Sequence, residues 1–159
     1  MFMHANVLHI LGNMLYLWVF GDELEANYLG PVRFGLFYFV CGLAADALQI
    51  AVNPSSTVPN VGASGAIAGV LGGFQIVFPR DQILVYIFPF WNTRITSLVL
   101  ISFWFLSQLY NGIGSITSAT QSGVAYFAHI GGFIAGLVLI KLFGAAPSAG
   151  GPDYQQLEG

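Results

Sequence analysis

Apolar residues run through this chain in long blocks, centred on residues 4–20, 32–52, 64–78, 95–110 and 124–143. Charged, Gly/Pro-rich or Asn/Ser-rich stretches separate them. Blocks of this length predict membrane-crossing helices. The third block is different: its roughly 15 residues make a helix of about 22 Å, against a bilayer core of about 30 Å. If Arg80 and Asp81 mark one surface, the other end of that helix, at Ser64, lies roughly 8 Å inside the membrane. The Pro/Ser-rich run at 53–60 leads into it. Irregular backbone at that depth is tolerated only inside protein or beside a water-filled cavity. Residues 83–91 are apolar but short and broken by Pro89, which predicts an interfacial segment. Residues 145–159 are rich in Gly, Pro and Ala and predict a disordered tail. The expected fold is all-α: one polytopic transmembrane bundle over residues 1–144, with about five spans and a short central helix starting at Ser64.

Composition narrows the function classes. Hydrophobic residues make up 56% and charged residues 7%, with mean hydropathy +0.75, where a soluble domain carries about 25% charged residues. The net charge of -3 offers no basic surface for nucleic acid. The single cysteine, Cys41, cannot form an intrachain disulfide. The opening residues lack a cationic leader and do not read as a signal peptide. Arg33, Arg80, Arg94 and Lys141 all fall on one side of a five-span path, whereas the loops at 53–63 and 111–123 carry no Lys or Arg. The positive-inside rule makes that side cytoplasmic, with the C-terminus inside and the N-terminus outside.

On this topology the reactive side chains gather at one depth near the outer face: His4, His9 and Asn13 in the first span, Ser64 in the third, His129 in the fifth. A serine hydroxyl needs a base to become a useful nucleophile, and histidine is the usual one. His129 is the best placed. Gly65, Gly69 and Gly73 repeat every four residues, as do Gly132 and Gly136, and small residues at that spacing let two transmembrane helices approach closely. His129 shares the face of Gly132 and Gly136, so packing that face on the third span brings it to Ser64. The bland reading is a buried histidine bonded to a backbone carbonyl, but intramembrane ionisable residues are functional more often than not. His9 and Asn13 are four apart on one face and both can donate hydrogen bonds. With the backbone N–H of Ser64 at a helix N-terminus, they form a candidate oxyanion hole; the alternative is polar glue between helices. Asp46 is the one carboxylate at a useful depth, and it reads as a cavity-facing or helix-pairing residue rather than an acid orienting His129. Three histidines could in principle bind zinc. His4 and His9, however, lie about 140° apart around a helix, and no His-Glu-x-x-His is present. Neither metal nor cofactor is expected.

At these residues the chain resembles the rhomboid family of intramembrane serine proteases. The matching motifs are His4-x4-His9-x3-Asn13, Gly62-Ala63-Ser64-Gly65 and Ala128-His129-Ile130-Gly131-Gly132, in the family's order, within a resemblance covering about residues 2–144. It implies a Ser–His dyad without an acid, Ser64 as nucleophile and His129 as base, with His9, Asn13 and the Ser64 N–H as oxyanion hole. Val61 and Gly62 would border the substrate, and the fourth span and the loop to Gly123 would act as lateral gate and cap. The implied partners are membrane lipid and single-pass membrane proteins, cut near the outer face, and the expected location is a bacterial plasma (inner) membrane. The family core has six helices, and its first helix and following loop have no counterpart in these residues. An aromatic ring four residues after the nucleophile often stacks on the histidine in relatives. Ala68 stands there, so another ring, such as Tyr126 or Phe127, would have to hold His129, or its orientation is looser. Two other functions compete: an inactive rhomboid-like binder or chaperone, and a small transporter, for which the sequence shows no inverted repeat.

Overall fold

A computed structural model of the chain describes residues 4, 6–56, 62–87, 91–117 and 124–144. Helix α1 (Val7–Tyr16) starts at Asn6, whose side chain accepts the backbone N–H of His9 at 2.9 Å, satisfying one orphan donor of the first turn. The helix does not stop at Gly21-Asp22-Glu23, where the first span was expected to end. It continues through a π-helical segment (Leu17–Gly21), a short α2 (Asp22–Leu24) and a second π-helical segment (Glu25–Leu29). The reason is amphipathicity: Phe20, Leu24 and Leu29 are buried, while Glu23 and Asn27, four apart, pair on the outer face at 2.7 Å. Gly30, at φ 73°, turns the chain, and Pro31 opens α3 (Pro31–Val52).

Helix α4 (Ser64–Val77) sits at the centre, with every residue from Ala66 to Phe74 buried. Its glycines set how closely its neighbours approach. A methyl group on Gly65 would stand 2.7 Å from Cβ of Ala45 on α3, and one on Gly69 would overlap Cys41. On the other side, α6 (Tyr126–Phe143) runs parallel to α4, and methyl groups on Gly132 and Gly136 would overlap the carbonyl oxygens of Gly65 and Gly69. Backbone thus meets backbone along two turns.

Residues 82–96 contain the expected interfacial segment and take a form that the expectation did not specify. They form an antiparallel hairpin of β1 (Gln82–Ile87) and β2 (Trp91–Thr96), in register Gln82↔Thr96 to Ile87↔Trp91. Alternation drives it: Ile83 and Val85 turn inward while Leu84 and Tyr86 are exposed. Pro89, which motivated the expectation, lies outside the described residues. A lone hairpin is marginal, and this one is pinned at its base. Ser97 N–H donates to Asp81 at 2.8 Å, and the fully buried Ser97 hydroxyl donates to the Phe78 carbonyl. Helix α5 (Ser97–Thr117) then returns along α4 and α6, tied by Gln75 to Ser102 at 2.8 Å and by Phe105 stacked on Phe133 at 4.2 Å.

The molecule is a mainly helical membrane bundle. Three helices, Pro31–Val52, Ser97–Ile116 and Tyr126–Phe143, are long and apolar enough to cross a membrane, and Ser64–Val77 is a shorter apolar helix among them. Leu8, Trp18, Val32, Phe103 and Leu142 are exposed, as lipid-facing side chains should be. Arg33 reaches the Phe143 carbonyl at 3.5 Å. With α4 and α6 parallel and the hairpin following α4, this puts Arg33, Arg80, Arg94 and Lys141 at one end, opposite Ser64. The expected tail, 145–159, lies outside the described residues.

Candidate active site

Ser64 is the first residue of α4, and His129 lies in the first turn of α6. The parallel Gly–Gly packing of these helices brings the side chains together: His129 Nε2 lies 2.8 Å from Ser64 Oγ. The imidazole's other nitrogen, Nδ1, lies 2.8 Å from Oε1 of Gln108 on α5. An amide oxygen only accepts, so Nδ1 carries the proton and Nε2 is left to accept from the serine hydroxyl. That is the tautomer a general base requires.

His9 also lies close to Ser64, with Gly62 beside both. Gly62 has φ +115°, and a methyl group there would lie 2.8 Å from His9 Cε1 and Nε2 and 3.7 Å from Ser64 Oγ. Only glycine meets both the backbone conformation and the space beside that ring. Asn13, one turn further along α1, is buried, and its Nδ2 makes no hydrogen bond among the described residues. A buried donor left unpaired costs about 1–3 kcal/mol; its retention here fits a group awaiting an acceptor. Among the described residues no side chain caps the start of α4, so its first N–H groups are uncommitted to such a cap. Val61 lies outside the described residues.

Three features differ from expectation. The ring beside His129 is neither Tyr126 nor Phe127 but Trp104 of α5, with centroids 5.9 Å apart; Tyr126 and Phe127 instead border Gly112. The partner of His129 Nδ1 is Gln108, a residue the expectations did not name. His4 and His9, read as too far apart around a helix to meet, have rings 5.6 Å apart edge-on, because His4 precedes the helix rather than belonging to it. Sequence reasoning missed Gln108 and Trp104 altogether. The available signal was a polar amide, Gln108, and an indole one turn before it in a mainly apolar span.

The chain is similar to several known proteins. It is 36% identical over 138 residues to RHOMBOID-like protein 4 of Arabidopsis thaliana, covering 86% of this chain and 31% of that protein. It is 31% identical over 141 residues to Rhomboid protein 1, mitochondrial, of Saccharomyces cerevisiae, covering 86% of this chain and 38% of that one. It is 31% identical over 148 residues to Rhomboid protease GluP of Bacillus subtilis, covering 93% of this chain and 25% of that one. The chain thus spans less than half the length of these relatives. No solved structure matches it significantly. The model of the Rhomboid domain matches residues 1–146, which include the Ser64–His129 pair and the α4–α6 packing that makes it. This chain belongs to the rhomboid family.

Proposed function

We propose that the chain is the catalytic part of an intramembrane serine endopeptidase. The observation that carries this reading is the 2.8 Å contact between Ser64 Oγ and Nε2 of His129. Ser64 Oγ attacks the scissile carbonyl carbon while its proton passes to Nε2. The developing oxyanion takes hydrogen bonds from Asn13 Nδ2, His9 and the Ser64 N–H, each such donor worth about 2.7–4 kcal/mol. The imidazolium then returns its proton to the leaving amine, the C–N bond breaks, and an acyl-enzyme remains. A water molecule, deprotonated by His129, attacks the ester and releases Ser64. Gly62, beside His9 and Ser64, borders the substrate together with Val61.

The substrates of this reading are single-pass membrane proteins whose helix unwinds easily near the outer face. An intact helix buries its scissile carbonyl in its own hydrogen bonds. The end carrying the four basic residues is cytoplasmic, and the membrane is a bacterial plasma membrane. The test is cleavage of a single-pass substrate, with glycines in its outer third, by the purified chain in detergent micelles. The expected result is a cut in or beside that outer third, made by the parent chain and not by Ser64→Ala. Substrate left whole by the parent chain, or cut equally by both, contradicts the proposal.

A further inference from the structure

Four hydrogen bonds connect a backbone carbonyl of α5 to the serine hydroxyl, and their directions are fixed by chemistry. Ser107 Oγ lies 2.6 Å from the Trp104 carbonyl oxygen. A carbonyl only accepts, so the Ser107 proton is committed to it. The Ser107 oxygen is then an acceptor for Gln108 Nε2, at 3.0 Å. That fixes which way the Gln108 amide faces: nitrogen toward Ser107, oxygen toward His129 Nδ1 at 2.8 Å. Nδ1 must therefore donate, and Nε2 must accept from Ser64, at 2.8 Å. Flipping the amide would set Oε1 of Gln108 against the Ser107 oxygen with no proton between them, since the Ser107 proton is committed to the Trp104 carbonyl. Asn111 Nδ2 steadies the turn by donating to the Ser107 carbonyl at 2.7 Å, and Trp104 lies beside the imidazole.

We infer that Gln108 and Ser107 are positioning residues for the dyad: together they hold His129 as the Nδ1–H tautomer, the polarity originating at the Trp104 carbonyl. This inference rests on the reading of Ser64 and His129 as nucleophile and base. It adds that a helix carrying neither of them sets the state of the base. A fully committed chain of this kind stabilises one arrangement over its reverse, and the hydrogen bond on one imidazole nitrogen decides the tautomer.

The test uses protein labelled with 15N-histidine in detergent micelles, with the His129 signals identified by their absence in His129→Ala. Parent chain and Gln108→Glu, whose carboxylate also only accepts, are expected to show His129 protonated at Nδ1. Gln108→Met, close in volume, is expected to show a mixture with the Nε2–H form. Its kcat is expected to fall about tenfold, the equivalent of one net hydrogen bond, with KM unchanged, and Gln108→Glu is expected to recover most of the loss. Ser107→Ala, which removes only a hydroxyl and so endangers folding least, is expected to give a smaller shift toward the mixture and a loss of about threefold. An unchanged His129 tautomer in both Gln108→Met and Ser107→Ala overturns the inference, as does a kcat loss that Gln108→Glu fails to recover. A tautomer that responds to Gln108→Met in a chain that cleaves nothing supports the positioning and contradicts the proposed function, so the two failures are told apart.

Discussion

Ser64→Ala, His129→Ala and the double variant are expected to cleave a membrane substrate at one common rate, about 10⁴- to 10⁶-fold below the parent chain. The reasoning is that the two side chains act as one unit. The hydroxyl without Nε2 keeps its proton and is a poor nucleophile. The imidazole without the hydroxyl has nothing to activate. Removing the second partner therefore costs nothing more, and the residual rate is what the oxyanion donors supply alone. If the two residues contributed independently, the double variant would fall by the product of the single losses. The contact at 2.8 Å is what makes the common rate the expected outcome. Single-turnover assays in micelles, with thermal unfolding to show that each variant remains folded, read the result.

The second large effect is structural. Gly132→Leu is expected to destabilise the bundle by more than about 3 kcal/mol and to abolish cleavage. A Cβ at residue 132 would overlap the carbonyl oxygen of Gly65 and stand 3.4 Å from Cβ of Ala45. The obstacle on the α4 side is main chain, which cannot rotate away as a side-chain tip can. Relief requires α6 to move off α4 by the width of a methyl group or more. His129 lies one turn earlier on the same helix, so that motion also separates Nε2 from Ser64 Oγ. A misplacement of about 1 Å can cost a hundredfold in rate. Gly35 provides the control. It lies within α3 and a Cβ there meets nothing within 4 Å, so Gly35→Ala is expected to stabilise α3 by about 0.5–1 kcal/mol. Unfolding in mixed micelles separates the two variants: a Gly132→Leu protein as stable as Gly35→Ala contradicts the packing described above.

These two effects also show what the amino-acid sequence makes legible. The Gly-x3-Gly repeats of α4 and α6 carry their meaning locally, because close approach requires the missing Cβ at each turn, and they place Ser64 opposite His129. Pro31 after Gly30, and the long apolar runs of α3 and α6, likewise identify those helices. The hairpin at 82–96 was harder to read. Its period-2 alternation spans only a few residues on each side, and Pro89 in the middle reads equally as the break in an interfacial segment. The helical stretch past Asp22 is hard to see in the sequence because charges interrupt the apolar run there, while Phe20, Leu24 and Leu29 continue its buried stripe. Gln108 and Trp104 belong to a different category. Their effect on His129 depends on how α5 docks against α6, through Phe105 on Phe133 and Gly112 beside Tyr126. No short spacing within residues 97–117 encodes that docking, and an amide carries no charge to mark it as a partner for an imidazole.

The central claim, that His129 makes the hydroxyl of Ser64 nucleophilic inside the bundle, is tested most directly by covalent labelling. The chain in micelles is treated with a fluorophosphonate, which reacts only with an activated serine, and the adduct is mapped by mass spectrometry. The account predicts one adduct, on Ser64, present in the parent chain and absent from His129→Ala. An adduct on another serine, or one on Ser64 that persists undiminished without His129, would contradict it.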